Sequence, residues 1–121
     1  MSSDRPHNLT LLWMQAQPVV GNYGGINATR LACDFVRMFG TEICTHNWAG
    51  PLTTLATLQY TAVIPNLFRQ EWPHVRLGLD WETEIVAPAL KVQKGRVAVP
   101  TGPGIGAEPD IAALQKRRIP G

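Results

Sequence analysis

Cysteine is scarce: the 121 residues include two, Cys33 and Cys44. With no second pair there is no disulfide framework to draw, which excludes the stapled class of small secreted domains. Both cysteines lie in apolar segments, one a predicted helix and one a predicted strand. Buried free thiols in a reducing compartment are therefore expected, and with them a cytoplasmic location. Long apolar runs are missing as well. The segment "LTLLWM" (9–14) is far shorter than the roughly 20 apolar residues of a membrane span, so no membrane partner is expected. Gln15 and Gln17 follow it where a secretory leader would carry small residues. Charge of one sign is also lacking, the net charge being +2. The basic clusters Lys91, Lys94, Arg96 and Lys116, Arg117, Arg118 carry no interleaved aromatics, which reads as a solvated surface and argues against nucleic acid as a partner. The glycine run "GPGIG" (102–106) lacks the Gly-Lys-Ser/Thr ending of a phosphate loop.

What is present points to one modest packed domain: 45% of the residues are apolar and 17% charged, a balance that supports a core. Residues 1–8, polar and interrupted by Pro6, read as a disordered N-terminus. A strand is predicted near 10–17, ended by Pro18 and the turn "GNYGG". Asn27 is the expected N-cap of a helix over "ATRLACDFVRMF", in which Leu31, Phe35, Met38 and Phe39 share one face and Gly40 marks the stop. A strand near 42–45 ("EICT") runs into a loop from His46 to Pro51. A second helix is predicted over 52–64, with Leu55, Leu58, Ala62 and Val63 at helical spacing, and a strand near 67–70 ends at Glu71. Strand, helix, strand, helix, strand with short links is the signature of βαβ units, so three adjacent parallel strands with both helices on one face are expected. From about residue 73 the chain reads as an irregular tail with one hairpin turning at Lys94-Gly95.

Among possible reactive groups, His46 stands where a strand ends and before the Gly-Pro pair that opens a helix. Glu71 stands at the end of the next strand. Trp48 and Trp72 flank them and are read either as walls of a pocket or as interior packing. His7 and His74 have no partner at ligand spacing, and Asp80, Glu82 and Glu84 are not read as a metal set.

Four strings in order, "GGINATRLACDFVRMFG", "THNWAGP", "IPNLFRQEW" and "GRVAVPTGPGIGAEPD", resemble the C-terminal part of the mandelate racemase/muconate lactonizing branch of the enolase superfamily, most of all its galactonate-type sugar-acid dehydratases. The resemblance implies an α/β fold, a partial (β/α) TIM-type barrel. Its last three strands and two connecting helices would occupy 9–72, and residues 73–121 would form a tail that packs back on the barrel and a capping domain. Catalytic groups of such barrels sit at the C-terminal ends of strands. By the same resemblance His46 is the catalytic histidine that moves the proton next to the substrate carboxylate, and Glu71 is the catalytic glutamate that hydrogen-bonds that carboxylate as it becomes an enediolate.

The family pattern places an aspartate where this chain has Val19. Valine accepts no hydrogen bond, so no carboxylate is expected near enough to orient the imidazole. The family's Mg²⁺ is held by acidic residues on strands three to five, which are not in this sequence, so no cofactor is expected to bind this chain alone. The leading expectation is thus a fragment of a Mg²⁺-dependent aldonate or aldarate dehydratase, an enzyme that eliminates the β-hydroxyl to give a 2-keto-3-deoxy acid, the fragment being inactive by itself. A sugar acid is the expected substrate of the full enzyme. A separate chain supplying the missing barrel half, and self-association through uncovered edges, are the expected protein partners. The alternatives are a racemase of the same superfamily and a non-catalytic α/β interaction module.

Overall fold

In the computed structural model, which describes residues 15–72 and 84–118, the central element is the strand read from "EICT". This strand, β2 (Glu42–Thr45), alternates in burial, with Ile43 and Thr45 inward. It lies between β1 (Gln15–Ala16) and β3 (Leu67–Gln70), and both pairings are parallel. The order and direction are those the sequence predicts. The register runs Ala16↔Ile43 on one side and Thr45↔Gln70 on the other, with a shift between Ile43 and Cys44. The N-terminal 1–8 stretch, most of the predicted first strand, His7, His74, Asp80 and Glu82 lie outside the described residues.

Two helices make the crossovers, α1 (Ile26–Arg37) and α2 (Pro51–Thr61). They meet the sheet on the Ile43 face, where Val20, Cys33 of α1, Ile43, Tyr60 of α2 and Ile64 form one buried cluster. Full burial of an aliphatic side chain such as Ile43 contributes about 1.5–3 kcal/mol relative to exposure.

Helix α1 departs from the sequence reading in two ways. Its N-cap is Gly25, with no side-chain cap bond, and Asn27 is an exposed residue within the first turn. The Gly25 carbonyl is already used by Thr29, through its amide at 3.0 Å and its hydroxyl at 2.8 Å. The stripe Leu31, Phe35, Met38, Phe39 is also exposed, while Ile26, Thr29, Cys33 and Val36 face the core. The helix has two apolar stripes on opposite sides. The one with small residues takes the close approach to the sheet, and the larger stripe is left outside, where the Phe35 and Phe39 rings meet edge to face at 5.3 Å.

Helix α2 is enclosed on most of its circumference. Tyr60 joins the sheet cluster, whereas Leu55 and Leu58 pack with Val86 and Leu90 of the C-terminal segment. Two of its buried threonines are satisfied locally: Thr54 donates to the Gly50 carbonyl (3.2 Å) and Thr61 to that of Thr57 (2.8 Å). Ala62 and Val63, read at helical spacing within the predicted helix, lie past the last helical residue and are exposed.

The segment after residue 84 is more regular than its composition suggests. Strands β4 (Val86–Ala87) and β7 (Glu108–Pro109) pair antiparallel, as do β5 (Val92–Gln93) and β6 (Arg96–Val97). The second pair is the predicted hairpin, turning at Lys94 (φ 50) and Gly95 (φ 73), the positive pair that a two-residue hairpin turn demands. A short helix, α3 (Ile111–Lys116), follows, its N-cap Asp110 accepting from the Ala113 amide at 2.9 Å. Gly106 packs on Pro100 so closely that a Cβ there would sit 2.6 Å from the proline Cβ. Gln59 fastens this bend to α2, its Nε2 donating to the carbonyls of Pro100 (3.0 Å) and Ile105 (3.1 Å).

Candidate functional site

Parallel pairing with Thr45 opposite Gln70 brings the next residues of both strands, His46 and Glu71, out at the same end of the sheet, on strands spaced by about 4.8 Å. The backbone holds them there. The Glu71 amide donates to the Thr45 carbonyl (3.3 Å), and the His46 amide donates to the carbonyl of Pro18 (3.3 Å), the residue before Val19.

The Glu71 side chain is the hub of the site. Its Oε2 accepts from the Asn47 amide at 2.7 Å and lies 3.2 Å from His46 Nδ1, and its Oε1 accepts from the Trp48 indole at 2.7 Å. Short bonds of this kind to a carboxylate are about twice as strong as neutral ones. The expectation that no carboxylate stands near the imidazole is therefore overturned: Glu71 itself is there. Valine at 19 removes one carboxylate from the neighbouring strand but not the glutamate across the β2–β3 pairing. His46 is 46% exposed at its side chain and Glu71 33%. Among the described residues the other imidazole nitrogen, Nε2, has no hydrogen-bond partner.

Asn47 is the residue the sequence did not single out. It is fully buried, and its Nδ2 donates to Thr54 Oγ1 on α2 (3.0 Å) and to the Glu71 carbonyl (3.3 Å). One asparagine thus ties the end of β2 to the end of β3 and to the helix that follows. No signal in "THNWAGP" distinguishes it from a loop asparagine, because its partners are supplied by the fold. The two tryptophans divide between the open readings: Trp48 is 54% exposed and reaches Glu71, whereas Trp72 packs against the Leu55, Leu58, Val86, Leu90 cluster.

The described residues do not fit a divalent cation. Among them no group of three or more His, Cys, Asp or Glu converges, and Glu84 faces Arg117 at 3.9 Å on the surface. Hard cations of the Mg²⁺ type require carboxylate and other oxygen donors around one point. The arrangement is suited to moving a proton at an exposed imidazole whose Nδ1 lies 3.2 Å from a carboxylate.

The chain is 30% identical over 116 residues to D-xylonate dehydratase of Haloferax volcanii, a match covering 93% of this chain and 28% of that one. It is 30% identical over 107 residues to D-gluconate dehydratase of Thermoproteus tenax, covering 84% and 20% respectively. The structure superposes on a mandelate racemase/muconate lactonizing enzyme from Jannaschia sp. CCS1 with a TM-score of 0.76 and 27% identity, over 89% of this chain and 27% of that chain. The chain spans between a fifth and little more than a quarter of the length of these relatives. With parallel strands joined by helices, a histidine and a glutamate at one end of the sheet, and the enolase C-terminal domain-like model matching residues 14–113, the chain belongs to that family, within the enolase superfamily.

Proposed function

We propose that these residues are the C-terminal part of a sugar-acid dehydratase and that His46 is the group that moves the proton on the carbon next to the substrate carboxylate. The observation that carries the reading is the exposed imidazole at the end of β2 with Nδ1 against Glu71. A base needs one nitrogen free and the ring oriented, and the 3.2 Å approach of Nδ1 to Glu71 supports that reading. Loss of the β-hydroxyl after proton removal would give a 2-keto-3-deoxy acid. Racemisation would share the first step, but both curated relatives are named as dehydratases, which favours elimination. Mg²⁺, in this reading, is bound by strands of the whole enzyme, and it would supply charge stabilisation to the deprotonated substrate. The step assigned to this chain is limited to proton movement at His46. By itself the chain is inactive.

The test is complementation. The chain is co-expressed with a dehydratase relative cut before the matched region, and keto acid formed from D-xylonate and D-gluconate with Mg²⁺ is measured. Product that appears only with both parts, and is lost in His46→Asn, is the expected result. Equal product with wild-type and His46→Asn chains would overturn the assignment.

A further inference from the structure

Glu71 is held more firmly than a residue that waits for a substrate. Two donors hold its two oxygens, the Asn47 amide and the Trp48 indole at 2.7 Å each, and His46 Nδ1 lies 3.2 Å from Oε2. Its backbone amide is pinned to Thr45, and its carbonyl accepts from Asn47 Nδ2. Asn47 in turn is locked to Thr54 inside the protein. Both oxygens already accept hydrogen bonds from the protein. A substrate anion brought to it would meet an acceptor. Meanwhile position 19, on the chain segment whose Pro18 carbonyl accepts from the His46 amide, is a valine with nothing to offer an imidazole.

We propose that Glu71 is the positioning residue of His46: its Oε2 accepts the Nδ1 proton, fixes the imidazole in the Nδ1–H tautomer and leaves Nε2 as the proton acceptor, a task that Val19 does not perform. The tautomer of a histidine is set by the hydrogen bond its other nitrogen makes, and a carboxylate itself held by two further donors sets ring direction too. The glutamate that the resemblance assigns to the substrate is thereby assigned to the histidine.

The inference deepens the dehydratase reading and rests on it for the meaning of Nε2, but its test needs no substrate, so the two fail separately. Imidazole ¹⁵N shifts and two-bond couplings are recorded on the labelled chain at about pH 9, above the ordinary histidine range, with His46 assigned by loss of its signals in His46→Asn. The wild type should show Nδ1 protonated and Nε2 bare. Glu71→Ala should reverse the order, leaving Nε2 protonated. Glu71→Gln, which offers one acceptor oxygen to three donors, should lower the Nδ1–H share even if the alanine variant fails to fold. A wild-type His46 protonated on Nε2 would overturn the proposal, as would an unchanged tautomer in a folded Glu71 variant.

Discussion

His46 Nδ1 stands 3.2 Å from Glu71 Oε2, and the register of β2 against β3 creates that contact. The strands pair Thr45 with Gln70, so each presents its next residue at the same edge. Asn47 then closes the arrangement from beneath, joining both strand ends to the first turns of α2. The pair is thus supported by buried structure, although its own side chains are partly exposed.

Asn47→Ala should show how much that support is worth. The substitution leaves the amide bond to Glu71 in place but removes the side-chain donor to Thr54 and to the Glu71 carbonyl. Leaving such buried groups unpaired costs about 1–3 kcal/mol, so the urea midpoint should fall accordingly. Trp48→Phe, at a half-exposed donor, should cost less. Equal stability of Asn47→Ala and wild type would show that the buried network is not what holds the site.

Alkaline pH should weaken the fold. Burial pushes the Cys33 thiol up, with Asp34 adding to it, and burial pushes the Tyr60 phenol up, with Cys33 adding. Both groups hold their proton longer in the folded chain, so once the pH exceeds the unfolded values the folded state binds more protons and stability falls. Their contribution is complete below about pH 8.5 for the thiol and about pH 10 for the phenol, and is lost above. The melting temperature should be level up to the first value and then decline. In Cys33→Ala the decline should begin near the second. A level profile to pH 11 would contradict the burial of both groups.

The outer stripe of α1 should govern association. Leu31, Phe35, Met38 and Phe39 are each at least 60% exposed, and β1 and β3 end the three-stranded sheet among the described residues. Apolar stripes and strand edges of this kind promote association. Light scattering of the purified chain should show species larger than a monomer, and Phe35→Glu with Met38→Lys should shift them toward the monomer. A clean wild-type monomer with a cooperative melt would favour the stand-alone module.

The parts legible in the sequence are those set by local chemistry. Pro18, Gly40 and the Gly50-Pro51 pair punctuate the chain, and Lys94-Gly95 names its own turn, so element order and parallel direction follow. The facing of α1 was not legible, because a helix with apolar residues on two sides has a period but no unique inner face. Residue size decided it, the small Thr29 and Cys33 going inward. Ala62 and Val63 kept the helical spacing but fell beyond the helix end. Helix α3 was hidden behind a Gly/Pro run, although Asp110 is an ordinary N-cap residue. At the site, His46 and Glu71 were legible as strand ends. Asn47 was not, since its importance comes from Thr54 and Glu71, which only the fold brings to it. The contact between Glu71 and His46 escaped for the same reason: Val19 could be read as a missing partner, but the substitute lay on the opposite neighbouring strand.

The most direct measurement of the central claim is formation of 2-keto-3-deoxy acid from D-xylonate and D-gluconate, with Mg²⁺, by the purified chain alone and by the same chain carrying Val19→Asp. His46 Nδ1 lies 3.2 Å from Glu71, and no metal set is found among the described residues. No turnover is therefore expected of either protein, because an aspartate at position 19 adds one carboxylate and not a set of metal ligands. Robust Mg²⁺-dependent turnover by the chain alone, abolished in His46→Asn, would contradict that expectation and show that these residues build a complete active site of their own.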